Sequence, residues 1–435
     1  MTMAIIYNLI FLIVAIIYLP AYLFRRKFHW GFLLRLGILP KKLELDRPIW
    51  IHAVSVGEAM AIRGLLDELR VIYSDKRFVI STVTATGNKI ARSICRETDF
   101  VTYLPLDLSF VTKSVLDRIN PSLFIIVETE IWPNLISSLY RKNIPSIVVN
   151  GRISDRSFAG YRAIKFLLRP ILNKINLFCV QTSRDAQRLI SLGVPGDKIK
   201  ITGNMKFDHQ DYGGKKTADE TDKYRSLLRL GEASKLWVAG STHPGEEELI
   251  LSVYRELLNE FADLRLLIAP RHPARSQDLI KLSKRFGFAC LKVSLLNSPT
   301  HKFTDPRSVF ILDTVGELIN FYAIADIVFV GGSLVKIGGH NILEPASFSK
   351  PVLFGPYMFN FRDIADLFIS HKAAILVRNP EELKANIKYL LTNPLLISGF
   401  AKRAQELLLE NKGATKRNAE YILGLVQDKR HEYSY

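Results

Sequence analysis

Three short segments place charged side chains where proton transfer and charge stabilisation need them. In HAVSVGE, residues 52–58, an apolar run is followed by a Ser-Val-Gly turn, and Glu58 then opens a helix. A carboxylate in that position has two uses. It complements the positive end of the helix dipole, or, with its pKa raised by partial burial, it takes a proton as a general base near neutral pH. In ETEIWPN, residues 128–134, Glu128 and Glu130 follow a strongly apolar run. If the chain stays extended both point to one side, with Thr129 opposite; a turn would separate them and leave only one for substrate. In GNMKFD, residues 203–208, Lys206 is a point charge suited to a phosphate. His52 lies within the apolar run and reads as a satisfied core histidine.

The second half of the chain holds a different chemistry. AGSTHPGEEE (239–248), APRHP (269–273), DTVGEL (313–318) and ADIVFVGGSLVKIGGHNILEPA (325–346) each put Gly, Ser, Thr or Arg directly after an apolar run. Turns of this kind offer free backbone N–H groups, and a helix start adds a positive dipole end, so together they suit an anion. In the longest stretch, Gly331 and Gly332 end a strand, and Gly338 and Gly339 precede a helix expected to start at Pro345, with Glu344 at its entrance, placed to accept hydrogen bonds from sugar hydroxyls. Four such strand ends in one half point to a negatively charged, nucleotide-like ligand. No Walker loop, no G-x-G-x-x-G after the first strand of either half, no Asp-x-Asp pair and no His pair with zinc spacing is present. Phosphate charge is then expected to be met by Lys, Arg and helix ends, without a bound metal.

The elements that must position these residues alternate in type. Short runs rich in Val, Ile and Phe (49–54, 78–81, 123–127, 147–149, 177–180) are separated by helix-length segments such as 58–73 and 87–96. The alternation resumes at 236–239, 264–269, 310–312, 327–330 and 351–354, with helices at 246–261 and 277–286 and closing helices at 383–391 and 395–427, broken at Pro394. This is the pattern of parallel sheets covered on both faces. The expected organisation is an N-terminal membrane anchor (1–30), a Rossmann-like domain (31–207), a polar linker (208–222, DHQDYGGKKTADETD from Asp208), and a second Rossmann-like domain with the closing helices (223–435). Two such domains leave a cleft, and ligands lie at the C-terminal ends of parallel strands.

At 435 residues the chain can fill two cores. Its net charge of +17 calls for acidic partners. Lys and Arg are scattered and form no recognisable nucleic-acid module, which sets nucleic acid aside. Residues 3–24 carry no charge, and Arg25, Arg26, Lys27 and Trp30 follow. That is the pattern of an uncleaved anchor with the remainder on the cytoplasmic side; a helix lying in the interface is the alternative. Residues 150–174 mix Arg152, Arg156, Arg162, Lys165 and Arg169 with Phe158, Tyr161, Phe166, Leu167 and Leu168, a cationic amphipathic stretch suited to an anionic lipid surface or to a solvated helix face. The three cysteines form no even or metal-like set and fit a reducing compartment.

HAVSVGE, ETEIWPN, NGRIS, GNMKFD, AGSTHPGEE, PRHP, DTVGEL, FVGGSL and GGHNILEPA, in this order, resemble the bacterial 3-deoxy-D-manno-octulosonic acid (Kdo) transferases of lipopolysaccharide synthesis, which are GT-B glycosyltransferases. The resemblance covers nearly the whole chain. It implies a GT-B fold, two doubly wound Rossmann-like domains facing a cleft, and transfer of Kdo from CMP-Kdo to lipid IVA at the cell inner membrane without a cofactor. It implies that Glu58 is the proton acceptor, that Glu128 and Lys206 stabilise the transition state, and that Pro270, Arg271, Val315, Gly316, Glu317, Asn341, Ile342, Leu343 and Glu344 bind CMP. The family often has Met where this chain has Val315, and Pro where it has Ile342. The alternative activity is another GT-B enzyme, a UDP-sugar transferase or epimerase acting at the membrane; a non-catalytic sugar-nucleotide binder is the third reading.

Overall fold

The computed structural model describes residues 7–9, 11–13, 31–40, 43–208, 217–296 and 307–432. Two compact units result, one formed by Met1–His209 with Asn411–Tyr435 and the other by Gln210–Glu410.

The apolar runs of the first unit form a seven-stranded parallel sheet: β1 (Ile49–His52), β2 (Phe78–Thr82), β3 (Phe100–Tyr103), β4 (Leu123–Val127), β5 (Ser146–Gly151), β6 (Leu177–Val180) and β7 (Ile199–Ile201), in the order β3-β2-β1-β4-β5-β6-β7. Every residue of β4 is buried, because helices cover both faces. Trp50 and Phe124 pack on one face with Leu135, Leu139 and Leu172. Ile49, Ile51, Leu123 and Ile125 pack on the other with Leu65, Leu66 and Leu69. The period of two between these sets is the strand alternation. The chain runs outward from β1 to one edge, returns, and continues outward from β4. The strand order therefore reverses between β1 and β4, which is where a doubly wound sheet opens a ligand crevice.

The second unit repeats the architecture with β8 (Lys235–Thr242), β9 (Leu264–Pro270), β10 (Cys290–Lys292), β11 (Val309–Ile311), β12 (Ile327–Val330), β13 (Val352–Phe354) and β14 (Ile375–Leu376), in the order β10-β11-β9-β8-β12-β13-β14. Its strand pairings among the described residues are all parallel. Its reversal falls between β8 and β12.

Three expectations need correction, and a fourth falls largely on residues outside the described ones. The C-terminal helix Ala414–Glu432 belongs to the first unit, not the second. Gly413, at φ +85°, ends the helix Pro394–Asn411, and the chain then returns to the first unit. There Ala414, Ala419 and Ile422 join the core beside Leu65 and Leu69, Asp208 accepts hydrogen bonds from the backbone N–H groups of Gly413 and Thr415, and the Asn418 amide donates to Thr202 Oγ1 at 3.0 Å. Apolar spacing announces an amphipathic helix without saying which sheet it covers. The polar patch expected as a linker is in part helical. Thr217 and Glu220 form a reciprocal capping box that starts the helix Ala218–Leu227; residues 209–216 lie outside the described set. The helix expected from Pro345 runs Leu343–Ser347, so Pro345 is its third residue. The first turn has no intrahelical use for its N–H groups, so proline is tolerated there. The anchor expected over 1–30 lies largely outside the described residues, and among the described residues no helix is long and apolar enough to cross a membrane. Within that stretch the Asn8 amide donates to Ser109 Oγ and accepts from Asn134, both at 2.7 Å, which ties residues 7–9 to the first unit.

Candidate active site

Glu58 is the third residue of the helix Val56–Ile72, and Ser55 caps that helix, accepting from Glu58 N. The Glu58 carboxylate accepts from Val54 N at 2.7 Å and from Ser55 Oγ at 2.8 Å. Both sequence readings therefore meet in one residue. Glu58 completes the helix cap, and it is only 8% exposed. Burial, and then the nearby Glu128 charge, push its carboxyl up to about 7; the Val54 and Ser55 hydrogen bonds oppose this, and Glu130 adds to it. A carboxyl at that value is half ionised at neutral pH, the condition for a general base.

Glu128 leaves the end of β4 at φ +60°. A left-handed conformation costs a residue with a Cβ about 1–2 kcal/mol, and here it is fixed by the hydrogen bond from Glu128 N to Val149 O at 2.9 Å. The bend ends the extended run at once, so strand alternation no longer sets the sides of Glu128 and Glu130, and both carboxylates stay close enough to Glu58 to raise it. Glu128 meets Lys206, whose Nζ lies 3.0 Å from Oε1, with both side chains 21% exposed. Glu130 is half-buried, and its carboxyl is raised by burial and by Glu128. His52 is a core residue, fully buried and lowered by burial to about 4, but it is only half satisfied: Nδ1 lies within 3.1 Å of both Ser81 oxygens, while Nε2 has no hydrogen-bond partner among the described residues.

Two asparagines build this geometry without having been singled out. Asn150, buried at φ +53° as the last residue but one of β5, accepts from Met205 N at 2.9 Å through its side chain. Asn204 accepts from Lys206 N at 2.9 Å and starts the single turn Met205–Phe207. They aim Lys206 at Glu128. The signal was available in NGRIS and GNMKFD, where an Asn beside Gly stands at or just past the end of a strand and marks a left-handed or capping position.

In the second unit, Pro270 ends β9 and Arg271 N donates to Thr242 O at 2.9 Å. The Arg271 side chain is exposed. Asn341 donates to Glu344 Oε1 at 3.2 Å and accepts from Leu343 N. Burial raises the Glu344 carboxyl, against the pull of Asn341 and Arg271. Ile342 and Leu343 are buried in the core. Val315, 86% exposed, Gly316 at φ +86° and Glu317 form a turn after β11, which neighbours β9 in the sheet. The structure thus brings Arg271, Asn341 and Glu344 into one electrostatic group, with residues 315–317 after the strand adjacent to the one that Arg271 follows. The glycines differ from expectation. A Cβ on Gly331 would lie 2.6 Å from Ser241 O, and one on Gly339 would lie 2.1 Å from Met358 Sδ. They permit close packing of the protein on itself rather than close approach of a ligand.

Two parallel-sheet α/β units, each with charged residues at its strand-order reversal, have the architecture of the GT-B fold. Across 87% of its length the chain is similar to the crystal structure of UDP-GlcNAc 2-epimerase from Neisseria meningitidis bound to UDP-GlcNAc, with TM-score 0.57 at 15% identity and full coverage of that chain; this likeness concerns the fold alone. Residues 31–209 match the family model described as 3-Deoxy-D-manno-octulosonic-acid transferase (kdotransferase). The chain is 37% identical over 372 residues to the 3-deoxy-D-manno-octulosonic acid transferase of Haemophilus influenzae, covering 85% of each. It is 31% identical over 409 residues to the protein of the same name from Chlamydophila psittaci, covering 92% of each. The chain belongs to the Kdo transferase family and is a glycosyltransferase.

Proposed function

We propose that this chain transfers Kdo from CMP-Kdo to lipid IVA, the phosphorylated precursor of lipid A, in lipopolysaccharide synthesis. The observation that carries the reading is a buried Glu58 carboxyl near neutrality beside the Glu128–Lys206 pair, at the reversal point of a sheet in a Kdo transferase family member. The acceptor hydroxyl gives its proton to the Glu58 carboxylate, and its oxygen forms the new bond to the anomeric carbon of Kdo. The bond from that carbon to the CMP phosphate breaks, and the electron pair leaves with CMP. Glu128 and Lys206 stabilise charge in the transition state. Arg271, with the backbones of Pro270, residues 315–317 and residues 341–343, holds CMP, and Glu344 takes the ribose hydroxyls.

No cofactor is used in this proposal, because Lys and Arg meet the negative charge. Transfer is expected to be unchanged when the protein is assayed in EDTA; activity that vanishes on chelation and returns with a divalent cation would refute the metal-free mechanism.

The lipid acceptor places the enzyme at the cytoplasmic face of the inner membrane, with residues 1–30 as an anchor and an anionic bilayer surface as partner. In support, Ile164, Phe166 and Leu167 are 46%, 74% and 39% exposed on the helical segment that also exposes Arg162, Lys165 and Arg169. Cations around exposed apolar side chains suit an anionic headgroup layer. Phe166→Asp is expected to weaken binding to phosphatidylglycerol vesicles about tenfold, a cost of the size expected when a buried apolar side chain is replaced by a charge. Flotation of the variant equal to wild type would remove this surface from the account.

A further inference from the structure

At the reversal point of the second sheet one histidine follows each of the two strands. Between Gly240 and Thr242 the pairing of β8 with β9 shifts register, with Ser241 at φ +57°, and the chain leaving this bulge carries His243. The fully buried Glu246 accepts from His243 N at 2.8 Å and from Gly332 N at 2.6 Å, which clamps the turn after β8 to the turn after β12. His340, in the second of these turns, then faces His243, with the two Nε2 atoms 2.8 Å apart. The ring planes differ by 3° and the centroids are 5.1 Å apart. Coplanar rings with that contact meet edge to edge, as an in-line N–H···N hydrogen bond requires. A Cβ on Gly332 would come within 3.1 Å of the His340 ring and 3.3 Å of the His243 ring, so this glycine leaves the pair its room.

With both imidazoles neutral, one facing nitrogen donates and the other accepts, and the pair shares a single proton between them. The groups around it are Arg271 and His272 from the turn after β9, Arg275 just beyond, and Glu246 and Glu247 after β8. Arg275 is taken up by Glu247 through hydrogen bonds of 2.9 and 2.8 Å. Burial and then the neighbouring cationic and imidazole groups hold both histidines below their ordinary range, His340 at about 4. An oxyanion reverses that balance. Arg271 attracts it, it favours the charged imidazole, and it accepts from two N–H groups where the second imidazole accepts from one.

We propose that the His243–His340 pair is a proton-linked seat for the phosphodiester of the sugar nucleotide, in which a phosphate oxygen replaces the imidazole–imidazole hydrogen bond, one proton is taken up from solvent, and both Nε2–H groups donate to the anion. The inference rests on the sugar-nucleotide reading above and adds two residues to it. Uptake on binding fixes the sign: affinity falls as pH rises, and it falls only for ligands that carry the phosphate.

The test is calorimetry on the full-length protein with cytidine 5′-(methyl phosphate), whose phosphodiester does not titrate near neutrality, and with cytidine as the phosphate-free control. Titrations run at pH 6 in two buffers of different ionisation enthalpy. The wild type is expected to take up about 0.5–1 proton per methyl phosphate bound, and to bind it about three- to tenfold less tightly at pH 8 than at pH 6. Cytidine should show neither effect. His340→Gln and His243→Gln should lose the uptake and the pH dependence while binding cytidine as wild type does. Binding of the methyl phosphate by the wild type with no proton uptake would overturn the proposal and leave the sugar-nucleotide reading intact; so would undiminished uptake in both variants. Failure of the wild type to bind either cytidine compound would overturn the sugar-nucleotide reading itself, and the proposal with it. The wild-type comparison stands even if a variant does not fold.

Discussion

Glu58→Gln is expected to lower kcat about 100- to 10,000-fold, the range that a positioned general base contributes. Gln keeps the oxygen that accepts from Val54 N or Ser55 Oγ, so the helix cap survives and the loss reports on proton transfer. Glu58→Ala should abolish transfer equally, with about 1 kcal/mol of added destabilisation from the damaged cap. Both variants should bind CMP as wild type does, because the residues proposed for CMP lie in the other unit. In the wild type, kcat/KM should climb with pH and level off above about 7, because the base works only when deprotonated and burial with the Glu128 charge holds Glu58 near that value. Full activity in Glu58→Gln, or a profile flat from pH 5 to 8, would remove Glu58 from the role of base.

Lys206→Ala is expected to cost about 100- to 1,000-fold in kcat, the loss typical of one preorganised charge aimed at a transition state. Its ammonium is 3.0 Å from Glu128 Oε1. Removing it leaves the Glu128 carboxylate without its cation next to Glu58, so the ascending limb of the pH profile should also move to higher pH. Glu128→Gln should move that limb the opposite way, because Glu128 is the largest charged contributor raising Glu58. The double variant should be little worse than the poorer single one, since the two act as a unit. Opposite displacements of the limb separate electrostatic coupling from simple loss of packing, which moves neither. If both single variants keep the wild-type limb, the coupling is absent.

The parallel sheets were legible because buried strands read as continuous apolar runs. The central ones, such as Leu123–Val127 and Ile327–Val330, appear with the expected limits. Short edge strands were not: β10 has three residues and β14 has two, too few to show a period. Glu58 could be singled out because it opens a helix directly after a strand and a Ser-Val-Gly turn. Its raised carboxyl could not, since that depends on burial and on Glu128. The Glu128–Lys206 pair joins residues 78 apart in sequence, and the His243–His340 pair residues 97 apart. Local spacing carries no information about such contacts; only strand order makes them. The return of Ala414–Glu432 to the first unit was hidden for the same reason, although Gly413 marked where the helix had to break.

Incubating the purified full-length protein with CMP-Kdo and lipid IVA, and weighing the lipid by mass spectrometry, tests the proposed reaction most directly. The expected result is lipid IVA carrying added Kdo and CMP released in step with it, in EDTA as in its absence, with no such product from Glu58→Gln. Unmodified lipid IVA, whether CMP-Kdo is left intact or is hydrolysed to free Kdo, would contradict it.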